Sequence, residues 1–303
     1  MPPATRPHGC GRRSAEDIVS PGPGNRPLAF PYTKLQVANA AVNQGAGFLV
    51  TSLAEARRRG IPDGRMVHIG YGAAAQEPDD ILARASYDRS ASLEVVLEQT
   101  LSLNRISPRD LAWVELYSCF PCIPKLARRV LDWPLDRPIT VHGGLTFGGG
   151  PIGNYMSHAI AAMTNRLRGT NAAGLLFGNG GYATTNHAIV LSGTPTGAVF
   201  PQDFDMQHRA DARRGAVPAI DPAYAGPARI ETYTAFPDES GDYSHGVVVA
   251  LTPQGKRTLA HSDTSATRRI IARARQKGGG INDTGLISRD RAGIAVWNPA
   301  PDA

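Results

Sequence analysis

The chain has 303 residues, 42% of them hydrophobic, enough for one large domain or two ordinary ones with a real core. No apolar run approaches the ~20 residues of a membrane-spanning helix, and residues 1–27 lack the apolar stretch of a secretory signal, so a soluble, cytoplasmic protein is expected. The formal charge of +6 comes from arginines scattered along the chain, not gathered with aromatics into one patch, which argues against nucleic-acid binding.

Residues 1–29 are rich in Pro, Gly and Arg and show no hydrophobic periodicity, so a poorly ordered tail is expected. His8 and Cys10 lie within it, but two ligands do not fill a tetrahedral metal site. Cys10, Cys119 and Cys122 make an odd, sparse cysteine set that fits a reducing compartment. From Phe30 the pattern changes. Residues 45–50 read as a buried strand, and Ser52 caps a short helix holding Glu55 and Arg57 to Arg59. Residues 66–71 read as a strand, followed by Gly72 and three alanines. A helix is expected over 90–103, with Leu93, Val96, Leu97 and Leu101 on one face. Ser107, Pro108 and Asp110 then turn the chain into a strand at 111–116. This alternation predicts an α/β layered domain with a largely buried sheet.

Three strand ends next break into small residues: VELYSCFP (114–121), VHGGLTFGGGPIGNY (141–155) and LLFGNGGY (175–182). Each is a place where backbone comes close to a ligand. Cys119 and Cys122 make a CxxC ahead of a helix at 123–131, the arrangement of a thiol-disulfide redox site. Residues 140–145 read as a strand, and Pro151 as the first residue of a helix reaching about Arg168. Gly148, Gly150 and Gly153 spell the dinucleotide fingerprint, but that site wants an acid about 20 positions on, and none occurs between Asp136 and Asp203. Acid-free surroundings favour an anion or a developing oxyanion near that helix start. His142 and His158 read as structural histidines. Residues 172–177 and 187–191 are strands, and the corner between them holds Asn179, which is suited to a left-handed backbone or to a ligand contact.

Residues 194–227 are proline-rich, mixed in charge and aperiodic, as in a linker or surface strap. Beyond them strands are expected at 229–236, 246–252 and 257–261. Ser265 starts a basic helix with Ile270 and Ile271 buried and Arg268, Arg269, Arg273, Arg275 and Lys277 outward. Residues 286–288 and 293–297 finish a small barrel.

Taken together, these stretches resemble the thiolase superfamily, and within it the thiolase-like proteins of type 1, grouped with acetyl-CoA acetyltransferases. The resemblance is carried by AFPYTKL (Ala29 to Leu35), the following VNQGAGFLVTS, VELYSCFP, GGLTFGGGPIGNY and GNGGY, and runs from about Ser14 to Asn298. It implies a thiolase-like layered α/β fold followed by a small β-barrel-like domain. In that reading 30–63 is a remnant of the N-terminal half, 64–193 the C-terminal half, 194–227 the linker and 228–303 the additional domain. The segment that holds the reactive cysteine in catalytic relatives has no counterpart, so the chain reads as N-terminally truncated. A homo-oligomer or a complementing subunit is then expected to cover the strand at 45–50.

The resemblance also implies acyl-CoA thioesters as substrate class, in lipid metabolism, with coenzyme A thioester as ligand, no resident cofactor and no metal. Catalytic thiolases carry an Asn-Glu-Ala-Phe motif, a Gly-His-Pro motif and a cysteine ahead of a glycine run. Here those places read Tyr117-Ser118-Cys119-Phe120, Gly149-Gly150-Pro151 and Leu176 ahead of Gly178. Neither Gly150 nor Leu176 has a group that moves a proton. The expectation is a pocket lined by Tyr117, Phe120, Gly149, Gly150, Asn179 and Gly180, without standard thiolase catalysis. Ser118 and Cys119 are the candidate nucleophiles for acyl transfer in a different register. The alternatives are a non-catalytic acyl-CoA-binding or scaffold subunit, and a redox protein using Cys119 and Cys122.

Overall fold

The computed structural model describes residues 13–276 and 279–301, so His8, Cys10 and Lys277 lie outside the described residues. In chain order its elements are α1 (Ala15–Val19), β1 (Pro27–Ala29), β2 (Tyr32–Thr33), α2 (Leu53–Arg58), β3 (His68–Gln76), α3 (Ala91–Leu103), β4 (Leu111–Tyr117), α4 (Cys122–Val130), α5 (Leu145–Gly148) and α6 (Tyr155–Leu167). There follow β5 (Ala173–Gly180), β6 (Thr185–Ser192), α7 (Gln207–Arg213), β7 (Gly226–Pro237), β8 (Tyr243–Leu251), β9 (Arg257–Ser262), α8 (Thr264–Ala274), β10 (Thr284–Arg289) and β11 (Ala295–Pro299). They fall into two compact units. One is Leu35–Asp79 with Asp88–Arg214; the other is Arg13–Lys34 with Asp80–Tyr87 and residues 215–301.

The first unit is a layered α/β fold around a sheet of order β3-β6-β5-β4, in which β4 and β5 run parallel and the other pairs antiparallel. Successive side chains on a strand point to opposite faces, so β4 sends Val114 and Leu116 to one core and Trp113, Glu115 and Tyr117 to the other. The α3 face is the larger. Ser90 caps α3 by accepting from Leu93 N–H, and Leu93, Val96, Leu97 and Leu101 are buried, each contributing roughly 1.5–3 kcal/mol. Asn104 ends the helix and binds it to β3, accepting from Tyr71 N–H and donating to Tyr71 O and Thr100 O. On the opposite face α6 packs Tyr155, Ala159, Met163 and Leu167 against Leu176 and Leu191.

Both outer strands are trimmed. Along β3, Gln202 accepts from Gly72 N–H, Phe204 O from Ala74 N–H, and Gln207 both accepts from Gln76 N–H and donates to Gln76 O. Within the stretch 194–227 expected as a linker or surface strap, residues 202–207 lie along β3 and run into α7, which the composition did not announce. Along β4, Ile139 O accepts from Leu116 N–H and the Arg137 guanidinium donates to Leu111 O and Ala112 O.

The second unit is a closed five-stranded barrel of order β10-β11-β9-β8-β7 among the described residues, plugged by Ile230, Val248, Ile270, Ile287 and Trp297. Arg257 is its buried clasp. Its guanidinium pairs with Glu231, donates to Leu82 O and Arg84 O, and lies over the Tyr87 ring. Burial, more than the nearby charges, raises the Tyr87 pKa to about 12. The stretch expected as tail contributes here too: Ser14 makes a capping box for α1, and Phe30 N–H donates to Ala235 O while its ring meets Tyr233 and Tyr243.

Several expected elements differ. Residues 45–50 form neither strand nor helix, and Phe48, Leu49 and Val50 are exposed. Apolar content alone does not make a strand where no ladder receives its backbone. Residues 140–145 form no strand either, because side chains take their donors: Thr140 Oγ1 accepts from His142, Gly143 and Gly144, and Glu115 accepts from Val141 and His142. Pro151 begins a turn closed by Asn154 N–H, and the helix starts only at Tyr155. The alanines after Gly72 belong to β3, and β5 continues through Asn179 to Gly180.

Candidate functional site

The ends of β4 and β5 place two buried polar clusters back to back, one on each face of the sheet. On the α6 face stands Glu115, 1% exposed, in register beside Leu176. Its carboxylate accepts from Thr140 Oγ1, Tyr155 Oη (2.9 Å), Val141 N–H and His142 N–H. Burial raises the Glu115 pKa, against the opposing pull of those donors. Its effect is to pin the glycine-rich loop to the sheet.

Tyr155 stacks on Tyr117 with centroids 4.0 Å apart, and Tyr117 Oη lies 3.7 Å from Cys119 Sγ. Burial first, then the Cys119 contact, raises the Tyr117 pKa far above its ordinary value. The pinned loop also sets His142 edge-on to Tyr155 and stacked on His158 at 5.2 Å. Both Nε2 atoms are buried without a protein partner, and His158 Nδ1 lies 3.0 Å from Asn154 O. Burial, then the charge of His158, lowers the His142 pKa.

On the α3 face Ser118, 2% exposed, donates to Asn179 Oδ1 at 2.8 Å. Asn179 donates to Asn186 Oδ1, Asn186 to Ser92 Oγ, and Ser92 shares a hydrogen bond with Ser90, which donates to Glu77. Arg214 closes the line with an ion pair to Glu77 at 3.1 Å. Asn179 is therefore a link inside the sheet, with no left-handed backbone.

The other expected site residues separate. Gly149 and Gly150 lie under the chain at 38–42: Gly150 N–H donates to Asn39 O, and a Cβ at Gly150 would come 2.6 Å from Ala38 Cβ. At Gly149, φ is +62° and a Cβ would come 2.7 Å from Val42. Leu176 instead sits in the α6 core, 2% exposed. Phe120 is half-exposed, and Gly180 pairs with Thr185 at the end of β5. Cys119 and Cys122 are free and half-buried; α4 begins at Cys122, so Cys119 precedes the helix. Among the described residues no group of three or more His, Cys, Asp or Glu is placed to hold a metal, and no helix is long and apolar enough to cross a membrane. Glu115, Thr140 and Tyr155 escaped the sequence reading. The signal was there in a lone acid within the apolar run VELY.

A layered α/β unit with glycine-lined strand ends, in a chain that also closes a five-stranded barrel, is a thiolase-like fold with an added barrel. Residues 205–284 match the thiolase-like protein type 1 additional C-terminal domain family. The monomeric SCP2-thiolase like protein type 1 from Mycobacterium smegmatis is similar in structure, with a TM-score of 0.80 and 28% identity over 96% of this chain. Residues 205–284 thus carry the additional C-terminal domain of that family, and the chain as a whole is similar to the thiolase-like proteins of type 1. It spans 63% of the length of that relative. The Acat5 thiolase from Ascaris suum in complex with coenzyme A aligns over 46% of this chain and 34% of its own, at 17% identity and a TM-score of 0.37. Human mitochondrial 3-ketoacyl-CoA thiolase aligns over 49% and 34%, at 17% identity and a TM-score of 0.38. No curated protein matches the chain.

Proposed function

We propose that this chain handles acyl-CoA thioesters without standard thiolase turnover, keeping the scaffold of the site but not its proton-moving groups. The observation that carries this reading is what fills the two key places. At Gly150 the chain at 38–39 occupies the space a side chain would need, and at 176 a leucine is sealed in the core. General acid–base catalysis needs a titratable group within hydrogen-bond reach of the reacting atoms, and neither place supplies one. Of the two candidate nucleophiles, Ser118 is committed to Asn179, whereas Cys119 is half-buried beside the Tyr117 hydroxyl.

The test is made on the purified full chain. Calorimetry is expected to detect binding of acetyl-CoA, while acetoacetyl-CoA with free CoA gives no cleavage above the buffer rate. Robust CoA-dependent cleavage overturns the loss of catalysis, and absence of any heat with acetyl-CoA overturns the thioester reading itself. Iodoacetamide labelling of Cys119 that leaves an observed acyl-CoA reaction unchanged removes that thiol as nucleophile.

A further inference from the structure

The barrel carries two exposed histidines on neighbouring strands, His245 on β8 and His261 on β9. Side chains alternate along a strand, so His245 shares a face of β8 with Val247, opposite the buried Gly246 and Val248. Val247 pairs directly with His261, which puts both histidines on that one face as diagonal neighbours. Their ring centroids stand 6.3 Å apart with the planes at 80°.

Each ring is held by its Nδ1 edge. His261 Nδ1 lies 3.1 Å from Gly246 O, and a carbonyl only accepts, so in the neutral ring that nitrogen carries the hydrogen and Nε2 the lone pair. His245 Nδ1 lies 3.1 Å from Ser244 Oγ, and its ring stacks on Phe236 of β7 at 5.3 Å. The hydroxyl accepts as readily as it donates, which leaves His245 free to take the same tautomer. Among the described residues neither Nε2 makes a hydrogen bond. One nitrogen tied to the protein and the other left open is how imidazoles are oriented for a metal ion.

We propose that His245 and His261 form a two-nitrogen chelate for an exchangeable late first-row divalent cation, with water completing its coordination. An imidazole nitrogen sits about 2.0–2.1 Å from such an ion, so two rings sharing one have centroids up to about 6.4 Å apart. The pair stands within that reach. Imidazole suits nickel, copper and zinc, whereas magnesium and calcium want oxygen. The ion would clip β8 to β9 and stabilise the folded barrel by binding it in preference to the unfolded chain.

Nickel chloride is the probe, added to the full chain at neutral pH, and paramagnetic broadening of backbone amide resonances is the readout. Saturable broadening is expected at residues 245–247 and 260–262. His245→Ala and His261→Ala are each expected to raise the nickel midpoint there about tenfold or more, because a single ring no longer chelates. His187→Ala, at an exposed histidine on β6, is expected to leave it unchanged, and excess magnesium not to compete. No saturable broadening at those residues, a midpoint unmoved in either barrel variant, or displacement by magnesium marks an adventitious ion only and overturns the proposal.

Discussion

His142 gives the molecule a pH response that can be worked out from its surroundings. Burial, then the neighbouring His158, lowers its pKa in the folded state, while in the unfolded chain it returns to about 6.5. Below that value the unfolded state binds more protons than the folded one, so stability falls as pH drops and is regained as pH rises. Glu115, raised by burial, acts in the opposite sense, so the contribution of His142 has to be isolated by difference. Urea midpoints of the wild type and His142→Phe are compared between about pH 5 and 7.5, and the wild type is expected to lose stability relative to the variant toward acid, because only the wild type has the imidazole to protonate on unfolding. Parallel profiles would show that the ring does not titrate between the two states. The response arises from Thr140 and Glu115 capturing the loop donors, which a reading of apolar periodicity mistook for a strand.

At the scale of elements, the line from Ser118 to Arg214 joins the residues just past β4 and β3 to β5, β6 and the start of α3 through side chains rather than backbone. Asn186 is the hinge of that line, fully buried, accepting from Asn179 and donating to Ser92 and Ala183 O. Asn186→Leu would leave these partners buried and unsatisfied, at about 1–3 kcal/mol each. Equilibrium unfolding in urea is expected to show a loss of at least about 2 kcal/mol, and a neutral outcome would mean that the neighbours re-pair. Most elements were legible beforehand because their signals are local: the leucine spacing of α3, the turn at Ser107, Pro108 and Asp110, and the apolar runs of β5 and β8. Asn179 was harder to read, since its partners come from strands and helices distant in sequence and only tertiary structure brings them together.

For the whole molecule, the division into units follows chemistry that sequence order hides. Arg257 draws the stretch 80–87 to the barrel by donating to Leu82 O and Arg84 O, and the Phe30 ring brings 13–34 to the same unit. A linear reading drew the barrel domain from 228 onward, because a buried arginine in RTLAHS does not announce whose carbonyls it will cap. Arg257→Met keeps the bulk but removes the pair and both carbonyl bonds, leaving Glu231 without its cation. The expected cost is about 3–5 kcal/mol, with hydrogen exchange accelerated in 80–87 and in the barrel strands. Unchanged protection at Leu82 and Arg84 would contradict the clasp.

The trimmed flanks of the four-stranded sheet have one more result. Gln202, Phe204 and Gln207 take the amides of Gly72, Ala74 and Gln76 along β3, while Ile139 takes Leu116 N–H and Arg137 caps two carbonyls on β4, so both margins are partly blocked against fibril-like templating. Growth of an ordered aggregate from the β3 margin would have to begin by peeling the glutamine strap away, which makes that strap the guard of this edge against polymerisation.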